Sequence, residues 1–169
     1  MRIAGLIKND MVDGSGFCVS LWTQGCPHRC PGCHNPETWD FNGGTVITLD
    51  ELEKEILEAL NANGVERNFS VLGGEPLCEE NLYDVAKIIS KVRHNFPDRK
   101  IFVWTGYTYE ELKEKNSLVL NALLNNIDIL IDGRFEIDKR DITLWLRGSR
   151  NQRVIDMQKT LETGRVILC

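Results

Sequence analysis

The sequence predicts an α/β fold built as a partial, open (β/α) barrel, and three observations carry that expectation. Short apolar runs rich in Val, Ile and Phe recur at residues 2–7, 17–22, 69–72, 101–104, 127–131, 154–157 and 166–168, the pattern of strands. Helical patterns alternate with them, and the runs opening at Phe69, Ile101 and Ile127 are separated by about the 30 residues of a βαβ unit, which implies parallel pairing. The third is length. A complete eight-unit barrel takes about 250 residues and the chain has 169, so the barrel should stay open.

The first strand is residues 2–7 and the second is 17–22, which ends just before a cysteine-rich loop. The first helix opens with Thr48-Leu49-Asp50-Glu51, whose hydroxyl and carboxylate can reciprocally satisfy free backbone N–H groups; Leu49, Leu52, Ile56 and Leu60 then share one face. After strand 69–72, a helix over about residues 79–94 puts Leu82, Val85, Ile89 and Val92 on its inner stripe and stops before Pro97. Strand 101–104 leads to a second capping box, Thr108-Tyr109-Glu110-Glu111, and a helix broken near residues 116–124. Strands 127–131, 154–157 and 166–168 follow. The apolar stripes read as ordinary core. Ligands of such sheets lie beyond the carboxyl ends of the strands, so the loops after Trp22, Leu72, Trp104 and Ile131 are expected to line one site.

The 20 Lys and Arg against 25 Asp and Glu leave a formal net charge of −5. That balance argues against a chain whose main task is coating nucleic acid or an anionic membrane. No apolar run approaches the roughly 18 residues of a membrane span, and residues 1–8 are too few for a signal-peptide core. No repeat or linker interrupts residues 1–169, so a single domain in the cytoplasm is expected. Six cysteines, Cys18, Cys26, Cys30, Cys33, Cys78 and Cys169, would then sit in a reducing compartment, where clustered thiols more often bind metal or do chemistry than form bridges. Cys18 reads as a small buried hydrophobe within a strand, Cys78 as the start of a helix and Cys169 as a tail thiol.

The informative cluster is Cys26-Pro27-His28-Arg29-Cys30-Pro31-Gly32-Cys33-His34-Asn35. Cysteines separated by three and then two residues converge on one centre only if the chain wraps tightly, and Gly25, Pro27, Pro31 and Gly32 supply the turns. Structural zinc wants four ligands, usually as paired Cys-x-x-Cys or Cys/His units. Here there is one such pair, and the fourth ligand would have to be His28, His34, Cys18 or a distant thiol. A 4Fe-4S cluster also ordinarily takes four cysteines. With three, one iron keeps an open position at which a substrate or cofactor can bind.

The three-then-two spacing after a strand resembles the radical S-adenosyl-L-methionine (SAM) superfamily. Gly73-Gly74-Glu75-Pro76, directly after a later strand, is similar to that superfamily's glycine-rich element beside the methionine amino group. The resemblance implies an open barrel of the radical SAM type, with Cys26, Cys30 and Cys33 as cluster ligands and the open iron chelating SAM. It implies SAM neighbours at Gly32, Cys33, His34, Gly73 and Gly74, the glycines through close backbone approach. Asp132 and Arg134 are candidates for the ribose hydroxyls or methionine carboxylate, against the alternatives of a turn aspartate and a solvated charge. Many members carry an aromatic residue where this chain has Gly32, which leaves His34 or Trp39 to pack the adenine.

Asp13-Gly14-Ser15-Gly16, the 25–35 run, Ile131-Asp132-Gly133-Arg134-Phe135 and the stretch 148–156 together resemble the branch that activates anaerobic ribonucleoside-triphosphate reductase. That resemblance implies an oxidoreductase in which an electron, from reduced flavodoxin or a similar donor, splits SAM into methionine and a 5'-deoxyadenosyl radical that takes hydrogen from a glycine of the reductase. Charge complementarity would let His28 and Arg29, protruding from the cluster loop, receive an acidic donor, against the alternative of a plain solvated loop. Arg147, Arg150 and Arg153 read as docking or fold support, with structural hydrogen bonds from Asn151 and Gln152. Two other readings remain open: another radical SAM enzyme, either a different glycyl-radical activase or a small-molecule modifier, and a non-catalytic zinc module.

Overall fold

A computed structural model describes residues 1–169. Its strands are β1 (Arg2–Asp10), β2 (Cys18–Thr23), β3 (Thr45–Val46), β4 (Asn68–Gly73), β5 (Ile101–Trp104), β6 (Ile129–Asp132) and β7 (Arg153–Asp156). Its α-helices are α1 (Leu49–Leu60), α2 (Glu79–Asn95), α3 (Tyr109–Glu114), α4 (Leu118–Leu124) and α5 (Met157–Thr163). The strands form one sheet in the order β3-β1-β2-β4-β5-β6-β7. The centre, β2-β4-β5-β6, is parallel, whereas β1, β3 and β7 are antiparallel to their neighbours. The fold is therefore α/β with a mixed sheet that does not close.

Two-residue periodicity divides the central strands between two faces. Val19, Leu21, Phe69, Val71, Ile101, Val103, Leu130 and Ile155 point into the main core, where α1, α2 and α4 supply Leu52, Ile56, Val85, Ile89, Leu120 and Leu123. The alternate residues of β5, β6 and β7 build a smaller cluster of Phe102, Ile131 and Val154. On β2 and β4 the alternate positions include Cys18, Ser20 and Ser70, all buried. The loop after β1 folds over them: the Ser70 hydroxyl donates to the Asp13 carbonyl, and a Cβ on Gly14 (φ 138°) would meet Cys18 Sγ at 2.6 Å. Small residues there make room for that loop, which gives Cys18 its packing role.

Both expected capping boxes are present, Thr48 with Glu51 and Thr108 with Glu111. The expected helix break falls between α3 and α4, where Asn116 takes φ 47°. Several elements differ from expectation: β1 runs on to Asp10, and β6 opens at Ile129 rather than at residue 127. Residues 166–168 are not a strand; Leu168 makes one isolated bridge to Ile155. Strand β7 stops at Asp156, whose side chain accepts from Lys159 N and caps α5, a seven-residue helix ended by left-handed Gly164. The two-residue β3 was also not foreseen. Segments this short carry too few residues for a periodicity to show.

Candidate active site

The carboxyl ends of β2, β4, β5 and β6 open onto one cavity of about 800 Å³, lined in part by Cys26, Gly74, Thr105 and Gly133, one residue from each following loop. The four loops expected to share a site do share one. Cys26, Cys30, Gly32, Cys33, His34, Gly73 and Gly74 all line it, with Trp22 and Trp39 beside them.

The cysteine loop is held at both ends. Gly25 N donates to the Thr38 carbonyl and Cys26 N to that of Trp39, while Gln24 Nε2 donates to the carbonyls of Glu37 and Asp40. Between the ends, Arg29 takes φ 48° and Gly32 φ 75°. Cys33 N donates to the Cys30 carbonyl, and Asn35 N to Cys33 Sγ at 3.4 Å. The Gly-Gly pair after β4 lies backbone to backbone against the start of this loop. Gly74 N donates to the Thr23 carbonyl and Glu75 N to that of Gly25, both at 2.8 Å, and a Cβ on Gly74 would collide with the Gly25 carbonyl oxygen. The glycines thus permit close packing of two chain segments as well as exposing backbone to the cavity.

All three thiols of the loop are free; Cys26 is buried, Cys30 and Cys33 half-buried. Burial pushes the Cys26 thiol up to about 11, outweighing its backbone hydrogen bonds, and raises Cys30 as well. A thiolate at these positions needs a cation beside it. No three His, Cys, Asp or Glu side chains are grouped to hold a single metal ion. A cube, by contrast, takes one thiolate on each of three irons and does not require the sulfurs to meet at a point. The donor set and the cavity fit an iron–sulfur cluster.

The other residues singled out in the sequence are engaged by protein partners, although His28, Arg147 and Gln152 also line the first cavity. Asp132, buried at the end of β6, faces a second, smaller cavity; its carboxylate takes Arg153 Nε and Nη2 and the backbone N–H of Tyr109. Arg153 also grips Glu110, and these carboxylates raise its pKa further. Arg150 pairs with Asp141 and Arg147 donates to the Gln152 carbonyl. Gln152 Oε1 in turn accepts from Gly148 N and Ser149 N, and Asn151 Nδ2 donates to the Arg134 carbonyl. The 148–156 stretch is thus internal scaffolding. Arg29 is exposed, but His28 does not protrude: its side chain is 6% exposed and bonds Glu75, itself 1% exposed, at 2.8 Å. Nothing in the spacing of residues 28 and 75 announces that pair.

A family model described as a 4Fe-4S single cluster domain matches residues 12–155. Among curated proteins, the chain is similar to the anaerobic ribonucleoside-triphosphate reductase-activating protein of Pasteurella multocida (strain Pm70), 41% identical over 90% of this chain and 95% of the relative. The protein of that name from Escherichia coli (strain K12) is 38% identical over 86% and 92% of the two chains. The one from Enterobacteria phage T4 is 34% identical over 86% and 87%.

Proposed function

Because the chain belongs to the family of anaerobic ribonucleoside-triphosphate reductase-activating proteins, we propose that Cys26, Cys30 and Cys33 ligate one 4Fe-4S cluster and leave its fourth iron to SAM. It is an iron–sulfur, radical SAM enzyme, and its activity is to activate that reductase. When bound, the cluster would supply the one electron needed to split SAM into methionine and a 5'-deoxyadenosyl radical, the species that would take hydrogen from a glycine of the reductase. A glycyl radical flanked by amide nitrogen and carbonyl is more stable than a primary alkyl radical, so the transfer runs downhill. The single observation that carries this reading is three free thiols, in three-then-two spacing, on the cavity at the carboxyl ends of four parallel strands.

The chain's own residues bind, orient and exclude water. Three thiols anchor the cluster at the loop after β2. Gly73 and Gly74 would offer backbone to the methionine end of SAM, Gly32, Cys33 and His34 would lie beside it, and His34 or Trp39 would pack the adenine. Asp132 holds Arg153 and the start of α3, and so supports the site from behind. The four parallel strands around this cavity support the open barrel of the radical SAM type.

The target glycine must come within about 3–3.5 Å of the reacting carbon for efficient transfer, so a segment of the reductase has to enter the cavity. Its mouth carries Ile142 (80% exposed), Val12 (79%), Met11 (72%) and Trp145 (55%), apolar side chains from two distant stretches of chain. These form the rim that the entering segment covers. Reduced flavodoxin, or a similar acidic donor, suits the exposed Arg29 on the cluster loop. No helix is long and apolar enough to cross a membrane, and the reading places the protein with its reductase in the cytoplasm.

The test is anaerobic reconstitution with iron and sulfide, followed by reduction, SAM and the reductase. The expected result is 5'-deoxyadenosine together with a glycyl radical signal on the reductase. Cys26→Ala, Cys30→Ala and Cys33→Ala each abolish both, and Cys169→Ala neither. Stoichiometric zinc without iron or sulfide, or SAM cleavage intact in Cys30→Ala, overturns the assignment.

A further inference from the structure

The most heavily bonded buried side chain at the site is Glu75, which follows the glycine pair. One carboxylate oxygen accepts from Leu77 N at 2.9 Å and the Thr105 hydroxyl at 2.7 Å; the other accepts from Gly106 N at 2.7 Å and meets His28 Nε2 at 2.8 Å. With four donors around it, this carboxylate has no capacity left for a ligand. His28 is bound on its second nitrogen by Arg134 Nε at 3.2 Å, and Arg134 also reaches Glu111. Arginine only donates, so His28 Nδ1 accepts and Nε2 carries the proton given to Glu75. The ring packs edge-on against Tyr107 at 4.5 Å, and a Cβ on Gly106 would collide with it.

We infer that His28 is a positioning residue that locks the cysteine loop to the Gly-Gly-Glu-Pro turn through Glu75, and thereby fixes the cluster relative to the backbone that receives SAM. This rests on the cluster assignment above. His28 lies two residues from both Cys26 and Cys30. It is the point at which the loops after β2, β4, β5 and β6 meet, through itself, Glu75, Gly106 and Arg134 respectively. Arg29, next in the chain, is held at positive φ, a conformation that a non-glycine residue keeps only when its surroundings impose it. The imidazole is buried and occupied on both nitrogens, so it neither ligates iron nor receives a donor. It acts as the outer partners of metal ligands do, by orienting the segment that carries them.

The experiment compares full-length, anaerobically reconstituted parent, His28→Ala, His28→Gln, Thr105→Val and Cys30→Ala. Iron and sulfide content, the EPR spectrum of the reduced cluster with and without SAM, and its midpoint potential are all expressed per cluster. His28→Ala is expected to weaken SAM binding, read from the EPR titration, by about 10- to 100-fold, and to shift the potential. His28→Gln, which keeps an N–H for Glu75, should recover most of the loss. Thr105→Val, which removes another Glu75 partner without touching the loop, should move the same readings less. A merely destabilised protein would lose clusters yet leave the per-cluster readings unchanged. Parental per-cluster SAM affinity and EPR spectrum in His28→Ala overturn the inference, as does a His28→Gln protein no better than His28→Ala. Should His28→Ala not fold, His28→Gln and Thr105→Val decide by the same readings. A cluster retained in Cys30→Ala would instead overturn the underlying assignment.

Discussion

Asp10 and Asp13 crowd together at the end of β1, where the chain turns over the sheet toward the mouth of the cavity. Asp10 resists its burial because Val12 N, Asp13 N and other donors hold its carboxyl below the usual range. Asp13 has no such compensation: burial first, and then its bond to Asp10, push it up to about 7. The sign follows from proton counting. Between the unfolded value near 3.8 and the folded value near 7, the native state holds a proton that the unfolded chain has lost. Asp13 therefore subtracts stability progressively as pH rises through that window. Asp13→Asn should flatten the decline, so that its stability gain over the parent grows from pH 4 to pH 7 in urea unfolding of the metal-free protein. A gain independent of pH would refute the assignment. Single residues were legible from sequence where the pattern is local: the three-then-two thiols do line one cavity. His28 was not, because the carboxylate that buries it lies 47 positions away on another loop.

Among the elements, helix starts were legible because capping is written in adjacent residues. Thr108 and Glu111 satisfy each other's backbone N–H groups, and Thr108→Ala should cost about 1 kcal/mol of unfolding free energy. Gly74→Ala tests a different constraint. Its new Cβ meets the Gly25 carbonyl, so either the turn after β4 or the cysteine loop must shift. Overpacking of this kind costs about 1–3 kcal/mol, and here it should also lower cluster content, whereas Thr108→Ala should leave iron content unchanged. Equal iron in the two variants would show that the backbone contact is not part of the site. Strand β3 and helix α5 were illegible for the opposite reason. The first is set by pairing with β1 and the second by a cap and a terminal glycine around seven residues.

At the scale of the whole molecule, the repeat of strand and helix foretold the parallel centre, and with it the end of the sheet where the site would lie. It said nothing of the antiparallel borders, since β7 returns beside β6 by a long excursion whose own bonds fix it. That excursion carries Ile142 and Trp145 to the cavity mouth, opposite Met11 and Val12. If the rim receives the reductase, Ile142→Asp should leave SAM cleavage without the reductase near the parental rate and lower the yield of glycyl radical. Loss of both in parallel would place Ile142 in the cofactor site instead.

The claim beneath all of this is that three protein sulfurs serve four irons. Mössbauer spectroscopy of protein reconstituted with enriched iron, before and after SAM, reads it directly. The account predicts one iron in four with a distinct spectrum that changes when SAM binds, while the other three hold still. Four irons with sulfur-ligated parameters that ignore SAM would contradict it.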